Sequence, residues 1–211
     1  MRRGPRSDLP RVRLQVHEGE RVRPAERRRF FRVDDEVLLR WQRLPMAELP
    51  ALIRQARQPD GDGFGLCALL ARQGRDMNRS LPAASGGNRA LERYLRHLDD
   101  RINCLGQRFL LDELLRQGYA WLQVNLSAGG LIFPAPEQYA QGELLAMRLV
   151  LLPEMAGVLL AGQVVYCEHF GGSRTGDPWQ TAVEYVHILE SDRDLICAHV
   201  MRLQTRPDRD S

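Results

Sequence analysis

The chain has 211 residues and a mass of 24.1 kDa, enough for one well-cored domain with an appendage, and 44% apolar residues supply that core. The net charge is only +3, yet residues 1–32 hold eleven arginines against four acids, so an anionic partner is sought near the amino terminus. No apolar run approaches the roughly 20 residues of a membrane span, MRRGPRSDLPRVRLQV lacks a core of signal-peptide length, and four cysteines without paired spacing read as free thiols, which together place the chain in the cytoplasm.

Residues 1–25 are polar, rich in Arg and Pro and without periodicity, and read as a flexible basic arm. The cluster ERRRFFR at 26–32 hinges this arm to VDDEVLLRWQRL, whose β-compatible makeup predicts a first strand over about 33–43, stopped at Leu44-Pro45. The pattern then changes. Residues 46–117 read as a helical insertion: MAELPALIRQARQ and FGLCALLARQGRDMNR are amphipathic, and PDGDG and PAASGG punctuate them. After Asn88 as a cap, apolar residues recur at Leu91, Leu95, Leu98, Ile102, Leu105 and Phe109 in alternating steps of four and three.

That stripe is narrow, flanked by Arg93, Arg96, His97, Asp99, Asp100, Arg101 and Arg108. It suits another helix, either of a second copy or one of the two preceding helices. A helix over 88–117 spans about 45 Å, longer than a small β domain is wide, which favours projection and self-association.

Strand character returns at 118–127, 131–135, 143–152, 156–170 and 180–188, a spacing that suggests a barrel or sandwich. SDRDLICAHVMRLQ follows as a closing helix, with Ser191 and Asp194 in a capping-box-like relation, and 206–211 is a charged tail. The fold expected is mainly β with an α insertion, as one domain over 26–205 interrupted at 46–117.

Two short motifs carry the chemistry. Arg28 and Arg32 form RxxxR, with Arg27 and Arg29 beside them, and Asn125, Ser127 and Gly130 form NxSxxG within VNLSAGG. Guanidinium is planar and always charged, so it clasps a phosphate or the O6/N7 edge of guanine with two parallel hydrogen bonds. Asn125 and Ser127 alternate at a strand end and could present an amide and a hydroxyl to one ligand, while Gly129 and Gly130 allow positive φ and close approach of a base. Cys167 with His169, and Cys197 with His199, sit two apart, a spacing that shares one face of a strand, but the second pair falls in a helical stretch and no metal site is assigned. Nucleophile elbow, Walker loop and HExxH are all absent, so no catalytic residue is assigned.

In order and combination these residues resemble the PilZ domain family, whose pattern is RxxxR ahead of the first strand and (D/N)xSxxG after the second. The resemblance covers about 26–43 and 118–205 and implies a six-stranded β-barrel with a C-terminal helix and a helical insertion between the first and second strands. It also implies a ligand, cyclic di-GMP, held by Arg27, Arg28, Arg29, Arg32, Asn125, Ser127 and Gly130, with no further cofactor. Two positions depart from the pattern: Val164-Val165-Tyr166 stands where Val-Val-Arg is usual, and Ala182 where the last strand commonly has glycine. Tyr166 and Trp179 could stack on a guanine, though packing is the preferred reading of each.

The function expected is a non-catalytic receptor that senses cyclic di-GMP and alters its assembly or its contacts with a downstream protein. The alternative is an oligomeric scaffold, self-associating through 88–117, with weak or no nucleotide binding. Nucleic-acid binding by the arm rests on charge alone and is disfavoured.

Overall fold

The computed structural model of the protein describes residues 31–59, 61–170 and 177–205. The expected arm at 1–25, the tail at 206–211 and Arg27, Arg28 and Arg29 lie outside the described residues. Six strands close into an antiparallel barrel: β1 (Val33–Arg43), β2 (Ala120–Leu126), β3 (Gly130–Ala135), β4 (Leu144–Leu151), β5 (Ala156–His169) and β6 (Trp179–His187), in the order β1-β2-β3-β6-β5-β4. Between β1 and β2 come a 3-10 turn at Met46–Glu48 and three helices, α1 (Leu49–Arg57), α2 (Gly63–Ala84) and α3 (Arg89–Arg116). A last helix, α4 (Glu190–Thr205), follows β6. Among the described residues no helix is long and apolar enough to cross a membrane.

The strands form where β-branched and aliphatic residues can be buried on the pleat, and the barrel's two surfaces explain why several of them lack polar alternation. Val37 and Leu39 of β1, Leu145, Met147, Leu149 and Leu151 of β4, and Val158 and Leu160 of β5 point into the barrel, which Ile196 and Val200 of α4 help to fill. The intervening residues Leu38, Ala146, Val150, Leu159 and Ala161 point outward, and there Leu52, Phe64, Cys67 and Leu114 of the helical insertion cover them. Contact is close at Gly157, where a Cβ would lie 2.8 Å from the Ala68 backbone nitrogen on α2.

Capping sets the helix starts. Asp62 accepts from the Gly65 N–H at 2.7 Å at the head of α2, and Asn88 accepts from the Ala90 and Leu91 N–H groups, both at 3.1 Å, at the head of α3. The expected break at PAASGG comes late: α2 runs through Pro82 to Ala84 and ends at Gly86 and Gly87, both at positive φ.

α2 and α3 form an antiparallel pair touching at both ends, with Gly63 against Leu110 and Leu114 and the Ser85 hydroxyl donating to Glu92 at 2.8 Å. The C-terminal half of the α3 stripe is left uncovered, with Ile102 56% and Phe109 76% exposed, while Leu95 and Leu98 are half-buried.

The capping box expected at Ser191 and Asp194 is not formed. α4 begins earlier, its first bonds run from the Asp192 and Arg193 N–H groups to the Leu189 carbonyl at 2.9 Å, and the Ser191 hydroxyl turns to Asp192. The cap position is Leu189, and Ser191, already inside the helix, is two residues too late to cap it.

Candidate functional site

The antiparallel register of β1 and β2 pairs Val33 with Leu126 and Asp34 with Asn125. It therefore sets Arg32, which ends the arginine cluster, beside the turn that leaves β2. Arg32 Nη1 donates to Asn125 Oδ1 at 3.4 Å, and Asn125 Nδ2 donates to Asp34 Oδ1 at 2.8 Å. Arg32 and Asn125 are half-buried and Asp34 is exposed, so the guanidinium keeps most of its donors for other partners.

The NLSAGG turn is built from its own groups. Ser127 N–H donates to the Gly130 carbonyl at 3.0 Å, and the Ser127 hydroxyl donates to the same carbonyl at 3.1 Å. That hydroxyl also accepts from the Gly129 and Gly130 N–H groups at 3.3 and 3.1 Å. Ser127 is buried, and its hydroxyl, expected to face a ligand with the Asn125 amide, instead shapes the loop. Gly129 and Gly130 do not have the positive φ expected of them. Gly130 is needed for a different reason: a Cβ there would lie 2.4 Å from the Val183 carbonyl oxygen on β6.

Three residues that sequence reasoning missed complete the surroundings. Arg193, in the first turn of α4, donates from Nη1 to the Ala128 carbonyl at 2.6 Å, and the Tyr185 N–H of β6 donates to the Gly129 carbonyl at 3.0 Å. The Tyr185 hydroxyl is buried and has no hydrogen-bond partner among the described residues. Burial pushes its pKa up, while the Arg32 and Arg193 guanidiniums pull against that shift. Asp34 is the third, and its only sequence signal is adjacency to the arginine cluster. Nothing in SDRD singles out Arg193, whose partner is 65 positions away.

Trp179 lies elsewhere. It pairs with Ala135 whereas Gly130 pairs with Glu184, so it is five residues, about 17 Å, along β6 from the turn. It packs edge-to-face on His169, with centroids 5.3 Å apart, which bears out the packing reading. Tyr166 pairs with Ala182 across β5 and β6. Cys167 Sγ lies 3.3 Å from Thr181 Oγ1, and His199 faces away from Cys197 to bridge Asp35 and Glu154. Among the described residues no group of three or more His, Cys, Asp and Glu could hold a metal ion.

No curated protein matches the chain. Among solved structures it is similar to the Bacillus subtilis inhibitor of motility (MotI/DgrA), at 14% identity and a TM-score of 0.44, covering 87% of this chain and 54% of that one. The chain thus spans about half the length of that protein. It is also similar to a pathogenic protein from Xanthomonas campestris, described as a tetrameric PilZ domain self-assembled via a helical bundle, at 15% identity and a TM-score of 0.48, covering 84% and 89% of the two chains. A family model described as the PilZ domain matches residues 89–202, more than half of the sequence and all of the barrel after β1. With its closed six-stranded barrel and terminal helix, the chain belongs to the PilZ domain family.

Proposed function

We propose that this PilZ domain is a non-catalytic regulatory module that binds cyclic di-GMP in the cleft between Arg32 and the Asn125–Gly130 turn. Arg27, Arg28 and Arg29 would extend the guanidinium surface from the amino-terminal side. One observation carries the reading: Arg32 and Asn125, 93 positions apart in sequence and each in a different motif, lie within hydrogen-bond distance at 3.4 Å. In this reading Asn125 orients the guanidinium that clasps phosphate or the guanine edge, Ser127 and Gly130 shape the loop, and bound nucleotide orders the approach to β1 and changes the surface offered to a downstream protein.

Isothermal titration of cyclic di-GMP into the wild type, Arg32→Ala and Asn125→Ala tests it. A bidentate arginine contact discriminates by about 1–3 kcal/mol, so Arg32→Ala is expected to weaken binding by about 5- to 150-fold. Equal affinities for the wild type and Arg32→Ala would remove the site from this cleft.

A second reading, an assembly scaffold, is favoured by the uncovered stripe on α3, where Ile102, Leu105 and Phe109 are all exposed. A second copy presenting the same stripe would bury it. Light scattering on Leu98→Asp/Ile102→Asp is expected to show a smaller mass than the wild type, and an unchanged mass would exclude the stripe as the interface.

A further inference from the structure

The NLSAGG turn is held from outside as well as from within. Its Ala128 carbonyl accepts from Arg193 Nη1 at 2.6 Å, and Arg193 is the fourth residue of α4. Apart from this bond, its nearest acid is Glu190 at 4.0 Å, on an exposed and weak pair. The neighbouring residues face the other way. Asp192 is buried, 3.7 Å from Arg75 of α2, and Arg75 also donates to the Ser191 carbonyl. Burial raises the Asp192 pKa, while the charges of Arg72 and Arg75 oppose that shift. One helical turn is therefore gripped on two sides, by the helical insertion through Asp192 and by the turn through Ala128.

We propose that Arg193 is a positioning residue for the nucleotide turn, and that the helical insertion holds it in register through the Arg75–Asp192 pair. The inference rests on the cyclic di-GMP reading only for its consequence in binding; the positioning itself is a property of the free protein. A charge-assisted bond to a backbone carbonyl fixes the turn's outer edge at Ala128, and without it the loop keeps the bonds among Ser127, Gly129 and Gly130 and the Tyr185 N–H bond to the Gly129 carbonyl. Because α2 is the link on the far side, displacement of the insertion on assembly would shift the same turn, which makes site and insertion mutually responsive.

The test uses the full chain as wild type, Arg193→Ala, Arg193→Lys and Arg75→Gln. Hydrogen exchange in the absence of nucleotide should be faster for Gly129 and Gly130 in Arg193→Ala, near wild type in Arg193→Lys, whose ammonium can still reach the carbonyl, and intermediate in Arg75→Gln. Exchange that is unchanged in Arg193→Ala, or raised evenly over the whole barrel, overturns the proposal. Titration with cyclic di-GMP should then show affinity about tenfold weaker for Arg193→Ala, with recovery in the lysine variant. Undiminished affinity in Arg193→Ala overturns the link to binding. If the wild type itself takes up no nucleotide, the functional reading falls, and exchange at the two glycines still decides the positioning role.

Discussion

Replacing His199 should destabilise the protein and should also alter how stability depends on pH. The imidazole is 3% exposed, with Nε2 2.7 Å from Asp35 Oδ2 on β1 and Nδ1 3.5 Å from Glu154 Oε2 in the β4–β5 turn. Arg202 of α4 completes the group by donating to Glu154. Burial alone would lower the His199 pKa, but the hydrogen bonds and charges of Asp35 and Glu154 outweigh it and the pKa is raised. Burial likewise pushes Glu154 up, and His199 and Arg202 outweigh that to hold it below the usual carboxylate range. Removing the ring leaves the largely buried Asp35 carboxylate without its 2.7 Å partner, while Glu154 keeps Arg202, a loss of about 3–5 kcal/mol. At about 2–4 °C per kcal/mol for a chain of this size, His199→Ala should melt about 6–20 °C lower. The sign of the pH effect follows from the raised pKa: the histidine's contribution is complete below about pH 6.5 and is lost as pH rises through the folded-state value. Glu154 acts in the opposite sense, contributing above about pH 4.3 and losing that contribution as pH falls through its depressed value. The gap between wild type and His199→Ala should therefore be widest between those limits and shrink toward pH 9. Thermal denaturation followed by circular dichroism from pH 5 to 9 measures it. A variant melting within about 2 °C of the wild type, or a gap that does not vary with pH, would refute the claim that a charged imidazole bridges the two acids.

Two further changes probe how the site and the insertion are built. Gly130→Ala forces a Cβ to 2.4 Å from the Val183 carbonyl, so β3 and β6 must separate; about 1–3 kcal/mol of stability should be lost along with the shape of the turn, as read by chemical denaturation. Asp62→Ala removes both the cap of α2 and one partner of Arg148, at 3.1 Å, at a cost of about 1–2 kcal/mol, and hydrogen exchange should show the loss at the head of α2 rather than in the barrel.

Much of the fold was legible because its signals are local. β1 runs Val33–Arg43 as its composition indicates, and Asn88 caps α3 as its position before the periodic stripe suggested. PAASGG misled because a proline and a serine before two glycines look like a loop, whereas Pro82 sits in a helical turn that the glycines terminate only afterwards. Strands β4 and β5 could be recognised as apolar runs, but which residues face the helices was hidden, since Leu149 and Val150 are equally apolar and only the closed barrel separates inside from outside. In the site, the pairing of Arg32 with Asn125 could be expected from two motifs. The roles of Ser127 and Gly130 could not, because they depend on the Val183 carbonyl and on bonds within the turn. His199 is the clearest case of a role the sequence hid: its spacing of two from Cys197 lies in a helix and assigned no metal, and its actual partner, Asp35, is 164 positions away.

The two hydrophobic clusters bear on what the insertion is for. Leu38 and Val150 are fully buried, yet they lie on the outer surface of the barrel, where a bare barrel would show them to water. The insertion therefore does not hang from a barrel that is complete without it; the covering residues Leu52, Phe64, Cys67 and Leu114 make barrel and helices one cooperative body. α3 enters that shared core at Leu114 and donates from Gln107 to the Pro153 carbonyl at 2.7 Å, while Ile102, Leu105 and Phe109 stay exposed. A stripe fixed at one end to the barrel wall is displayed in a definite orientation. A second copy docking on it would press on α2 and α3, and α2 reaches the NLSAGG turn, the proposed nucleotide site, through Arg75, Asp192 and Arg193. Assembly and nucleotide binding would then share one free energy, and each should strengthen or weaken the other by the same factor.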